Sequence, residues 1–143
     1  MGPLFTGENQ TRNKFRIDAG GRTGILNEPE WKLIASEYPE TPRNFMVFAM
    51  EEREMLAEKI IALATWNKGR DLYDVWFLLN AGVKISGELV EKKSGRQNIS
   101  AEIKTMEFIS NREYERDMKR LTSRVIPYEQ VKKEVKFALD ITP

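Results

Sequence analysis

The stretch "AEKIIALATWNKGRDLYDVWFLL" (residues 57–79) decides the fold. Two apolar runs with helical spacing flank Asn67, Lys68 and Gly69, and an Asn-x-Gly step is a good helix terminator, so the segment reads as two helices joined by a tight turn. The first helix extends back to the acidic "EERE" at 51–54, which suits a helix N-terminus, and the second starts around Arg70 and ends near Gly82. On a helical wheel Met55, Ala62, Leu63 and Trp66 surround Lys59, whereas Glu51, Glu54, Glu58 and Thr65 form a separate polar sector. In the second helix Leu72, Val75, Trp76, Phe77, Leu78 and Leu79 cover nearly every direction, which predicts a mostly buried helix whose only acids are Asp71 and Asp74.

Three charged residues thus sit where apolar ones are expected. Lys59 has an ordinary reading, in which its stem lies along apolar surface and the ammonium reaches water. Asp71 and Asp74 also have one, because acids in a first turn are favoured by free N–H groups and the helix dipole, and Asp71 is a candidate cap. That reading covers one aspartate more easily than two. A specific partner is the alternative for the second, and Lys59 lies on the preceding helix; the two meet only if the faces of an antiparallel helix pair agree.

Outward from this pair the texture changes near residue 50. Upstream, Gly and Pro are frequent, and "KFRID" (14–18) and "NFMVFAM" (44–50) read as strands, with a short helix expected over residues 30–38 between Pro29 and Pro39. Alternation in "KFRID" puts Arg16 and Asp18 on one face, where Asp18 is either solvated or a metal ligand directed into a cleft. "AGGRTG" (19–24) either makes a turn or cradles a phosphate. Downstream, residues 83–98 read as a polar connection containing a short helix at 87–92, followed by helices at about 100–109, 111–123 and 127–140. The expected fold is α+β over one domain, 1–143: a small N-terminal sheet of two to four strands in residues 1–50, then a bundle of four to five helices in 51–143.

Composition narrows the chemistry. The 143 residues contain no cysteine and no histidine, which excludes disulfides, thiolate or imidazole metal sites, and Ser-His or Cys-His catalysis. Carboxylates, Lys, Arg, Tyr and Ser remain, a set that suits Mg²⁺-dependent phosphoryl or nucleotidyl chemistry, since Mg²⁺ prefers hard oxygen ligands. A formal charge of +1 gives no global attraction to nucleic acid or membrane. With no signal-like segment and no apolar run of spanning length, a soluble, cytoplasmic protein is expected.

"EEREMLAEKIIAL" followed by "NKGRDLYDVWFLL" resembles the second half of the AbiEii/AbiGii-type toxin family, nucleotidyltransferases of phage defence and toxin–antitoxin systems. The pattern is an Ala-Glu-Lys helix, a short basic turn, then Arg-Asp-x-x-Asp in an apolar helix. "KFRIDAGGR" is similar to the strand that carries a further active-site carboxylate, and "NREYERDMKRLTSRVIPYEQVKKEV" is similar to the C-terminal helices. The resemblance implies that Lys59, with Arg70 and Asp71, contacts a nucleoside triphosphate, that Asp74 belongs to the same catalytic site, and that Asp18 is a catalytic carboxylate and Mg²⁺ ligand. It also implies an antitoxin as partner. The chain departs from the pattern in one respect: family members carry a Gly-Ser motif followed by Asp-x-Asp, the principal metal ligands, and neither occurs among these residues, whose aspartates are Asp18, Asp71, Asp74, Asp117 and Asp140.

Two classes of function follow. One is a truncated, split or divergent nucleotidyltransferase that binds nucleotide but is inactive unless a second chain supplies the missing carboxylates. The other is a non-catalytic module that associates with itself or with a partner. An RNA surface on the basic C-terminal segments belongs to this second class, although interleaved acids such as Glu115 with Lys119 point to a solvated helix face. A reduced sheet would leave an edge strand and an apolar face open, which predicts a homo-oligomer.

Overall fold

A computed structural model describes residues 24–35, 44–122 and 124–141. Two strands, β1 (Glu30–Ala35) and β2 (Asn44–Ala49), pair antiparallel. Six helices follow: α1 (Glu52–Trp66), α2 (Gly69–Asn80), α3 (Gly87–Ser94), α4 (Ile99–Thr105), α5 (Asn111–Met118) and α6 (Tyr128–Ile141). This is the expected α+β order, with one more helix than the expected four to five.

The helix expected over residues 30–38 is a strand instead. Local spacing in "EWKLIA" permits a helix, but the register places Trp31 opposite Phe48 and Leu33 opposite Met46, and these cross-strand pairs decide the conformation. The Trp31 and Phe48 rings lie 5.1 Å apart. Trp31, Leu33, Met46 and Phe48 share one face of the ribbon, and that face is open to solvent, with Trp31 65% exposed. The expected strand at 14–18, including Asp18, lies outside the described residues.

The helices begin and end where their sequences dictate. Asn67 closes α1 in the left-handed conformation (φ 47°), a state that Asn tolerates better than most residues. Its amide then clips a distant loop, donating to the Glu107 carbonyl at 2.7 Å and accepting from the Ile109 N–H at 3.0 Å. Ser86 caps α3, Gly95 (φ 65°) ends it, and Ser110 with Glu113 forms a reciprocal capping box at the start of α5. Pro127 precedes α6, where its missing N–H is no loss.

α1 packs on α2 and α3, and α2 also packs on α5 and α6. The core they enclose includes Leu56, Ile60 and Leu63 of α1, Leu72 and Val75 of α2, Tyr114 and Met118 of α5, and Val131 and Val135 of α6. The Tyr114 hydroxyl, fully buried, donates to the Ile126 carbonyl at 3.1 Å, and burial pushes its pKa up to about 12. Among the described residues no helix is long and apolar enough to cross a membrane.

Candidate functional site

The turn at 67–69 folds α1 and α2 against each other so that their charged residues meet. Lys59 Nζ donates to Asp74 Oδ2 at 2.7 Å, and both side chains are about 40% exposed, at the edge of the interface rather than inside it. The open question about helix faces is thereby answered: those of Lys59 and Asp74 agree. Trp66, placed on the apolar side of α1 by the wheel, is largely exposed.

Asp71 lies one turn before Asp74 on the same side of α2 and is only 5% exposed. Its Oδ2 is buried without a hydrogen-bond partner, and its Oδ1 stands 3.9 Å from Arg70 Nε. Burial raises its pKa; the Arg70 charge, the Lys68 backbone N–H and the Lys59 charge oppose this without cancelling it, and Asp74 adds to it. Asp71 thus serves the start of α2 through the Lys68 N–H, and Asp117 of α5 accepts the next one, the Gly69 N–H, at 3.2 Å. Arg70 is exposed on the outer side of α2, next to the ion pair.

Leaving a buried acceptor unpaired costs stability. A buried carboxylate also carries the cost of desolvating its charge, which an amide avoids, so Asp71→Asn is expected to stabilise the fold by about 1 kcal/mol at neutral pH. The sign follows from the raised pKa: the neutral form suits the fold, so the contribution of Asp71 to stability is complete below about pH 4, the unfolded value, and is lost as pH rises through the higher folded value. Urea unfolding should show a larger gain for the variant at pH 7.5 than at pH 4. A variant less stable than the parent at both would count against an unpaired carboxylate.

A second charged cluster, missed by the wheel, lies at the other end of α1. Glu54, assigned to the polar sector, is 0% exposed, and residues 83–98, expected to be mostly polar connection, contain its partner Lys93, with a side chain 4% exposed. Glu54 accepts from the backbone N–H groups of Leu26 (2.7 Å) and Asn27 (2.8 Å) and from Lys93 Nζ (2.5 Å). Lys93 also pairs with Glu58 at 2.9 Å and donates to the Gly24 carbonyl. Desolvation pushes the Glu54 carboxyl up, but Lys93 and the two N–H donors more than offset it, and its pKa lies below the ordinary carboxylate range. The available signal was Lys93 itself, which follows Leu89 and Val90 at i+4 and i+3 and so shares their face, as Lys59 does in α1.

Asp18, the expected metal ligand, lies outside the described residues. Among the described residues no group of three or more acidic side chains could hold a metal ion. Two aspartates one turn apart, one of them bonded to a lysine, do not by themselves fit Mg²⁺, which requires several hard oxygen ligands in near-octahedral array.

No match was found among curated proteins or solved structures. A family model does match: the nucleotidyl transferase AbiEii toxin of type IV toxin–antitoxin systems, over residues 3–140. That match takes in Lys59, Arg70, Asp71 and Asp74 as well as every helix of the bundle up to the last turn of α6, and the chain belongs to the AbiEii nucleotidyl transferase toxin family.

Proposed function

We propose that this toxin-family chain provides the phosphate-binding side of a nucleotidyltransferase site, with Lys59 and Arg70 as the cations and Asp74 and Asp71 as the residues that hold them. The observation that supports this reading most directly is the half-exposed Lys59–Asp74 pair beside Asp71, a buried carboxylate whose pKa is raised, since perturbed carboxylates next to an accessible cation cluster at functional sites. In the absence of ligand Asp74 keeps the Lys59 ammonium neutralised and in place. When a triphosphate binds, Lys59 turns its remaining N–H donors to phosphate oxygens and Arg70 adds a second charge.

Nucleotidyl transfer itself requires metal-binding carboxylates of the Asp-x-Asp type, and this sequence contains no such pair. Accordingly we assign nucleotide binding to these residues, with Asp18 as a candidate Mg²⁺ ligand, and transfer to an assembly in which a second chain completes the metal site. An antitoxin is the other partner that membership of a toxin–antitoxin family implies.

Calorimetric titration with each of the four nucleoside triphosphates and Mg²⁺ tests the reading. The parent chain is expected to bind at least one of them, and Lys59→Ala to weaken that binding tenfold or more, the loss of one charge-assisted contact being worth about 1.5–3 kcal/mol. Asp74→Ala is expected to weaken it less, because Asp74 acts through Lys59. If no nucleotide binds while circular dichroism shows an intact fold, the pair is a structural ion pair and the reading fails.

The open face of the ribbon favours a second role, self-association. A two-stranded ribbon is marginal alone, and covering Trp31, Leu33, Met46 and Phe48 would stabilise it. A dimeric or larger mass by light scattering at micromolar concentration is expected, and a monomeric mass would overturn this role. The basic residues in and just after α5 give less support to an RNA surface, since Lys119 pairs with Glu115 at 3.0 Å in an exposed position.

A further inference from the structure

The outer side of α2 carries more than the ion pair. Arg70, Asp74 and Phe77 follow one another at i, i+4 and i+7 and so form a single stripe, about 10 Å long at the α-helical rise. Phe77 is 55% exposed although it belongs to the most apolar helix of the bundle. Its ring stacks on Tyr73, with centroids 6.4 Å apart and planes 26° from parallel. Tyr73 in turn leans on Trp76 at 5.5 Å, and the Trp76 indole N–H is anchored by Glu134 of α6 at 2.6 Å. The aromatic pair is therefore braced from behind and presents one ring to solvent, a single turn away from the residue that holds Lys59.

An exposed aromatic ring on a rigid backing, next to cations, matches an amphipathic ligand with an anionic end and a flat aromatic end. A nucleotide has that form, and the length of the stripe is comparable to the span from its phosphates to its base. We propose that Phe77, supported by Tyr73, is the platform on which the nucleobase stacks while the phosphates lie at Lys59 and Arg70. The proposal rests on the phosphate-binding reading of Lys59 given above. Because every base offers a π face, the platform contributes affinity without strong selection among the four bases.

The test compares nucleoside triphosphates with inorganic tripolyphosphate, which has the charge and no base. Phe77→Ala is expected to weaken binding of the nucleotide about tenfold or more, in line with losses seen for single base-stacking aromatics, and to leave tripolyphosphate binding unchanged. Phe77→Trp keeps a stacking ring and is expected to retain nucleotide affinity, while Lys59→Ala weakens both ligands. Since Phe77 is half-exposed, the alanine variant should keep its circular dichroism spectrum and unfolding midpoint within a small margin. If Lys59→Ala weakens both ligands but Phe77→Ala binds nucleotide as the parent does, the platform is refuted and the phosphate site stands. A Phe77→Ala variant that loses tripolyphosphate equally would refute the platform too, by showing a general disturbance of the site. If the parent binds neither ligand, the phosphate-binding reading fails and this proposal fails with it.

Discussion

Glu54→Ala is expected to destabilise the protein by about 3–5 kcal/mol, the usual cost of removing one partner from a buried ion pair. For a domain of this size that lowers Tm on the order of 10 °C. The substitution would strip the Leu26 and Asn27 backbone N–H groups of their acceptor and leave the buried Lys93 ammonium with the half-exposed Glu58 as its remaining carboxylate. Glu58 softens the loss and favours the lower end of the range. The effect depends on pH in both directions. The Glu54 pKa is depressed in the fold, so its contribution is complete above the unfolded value of about 4.3 and disappears as pH falls through the folded value. Lys93 shifts upward: desolvation lowers its pKa, but hydrogen bonds to Glu54 and then Glu58 outweigh that, so its contribution is complete below about pH 10.4 and is lost as pH rises through the folded value. Urea unfolding from pH 3 to 11 should therefore show a plateau in the parent chain with an acid flank that Glu54→Ala flattens. Replacing both partners together, Glu54→Leu with Lys93→Met, should recover much of the loss, since an apolar pair in place of a buried ion pair is often neutral or better. A single Glu54→Ala variant within 1 kcal/mol of the parent at pH 7 would show that segment 24–27 is not held by this carboxylate.

Gly69→Ala is expected to cost about 1–3 kcal/mol through overpacking. A Cβ at this position would stand 2.9 Å from the Tyr114 Cα, 3.2 Å from the Asp117 Cβ and 3.3 Å from the Tyr114 carbonyl oxygen. Tyr114 is fully buried and its backbone belongs to α5, so the neighbour cannot swing aside as a flexible side chain would. Alanine's better helix propensity, worth up to about 1 kcal/mol, works in the opposite direction and is smaller. Separating α2 from α5 would also stretch the Gly69 N–H bond to Asp117 and tilt the turn that carries Arg70 and Asp71. The variant should thus unfold at lower urea concentration and, on the reading of Lys59 and Asp74 proposed above, bind nucleotide more weakly. Unchanged stability would mean that α2 and α5 have room to part.

The helix pair at the centre of the fold was legible because each of its determinants is local. Apolar spacing marked α1 and α2, Asn67 and Gly69 marked the turn, and three charged residues out of place marked the ion pair. The same locality explains the errors. Residues 30–35 have a spacing that suits a short helix, and only pairing with residues 44–49 makes them a strand, so the deciding contacts are with a different part of the chain. Glu54 looked solvated because an acid in a first turn usually is; a segment 27 residues upstream and a lysine 39 residues downstream close over it.

By itself, the sequence determined the helical bundle, the positions of its caps and the lysine and aspartates of the candidate site, because helix formation and capping depend on residues within a few positions of one another. Only the tertiary structure decided which carboxylates are buried, that Asp71 is left with an unpaired oxygen, and that Gly69 must remain glycine. Those properties depend on what approaches each residue from another element, and no spacing along the chain records that approach.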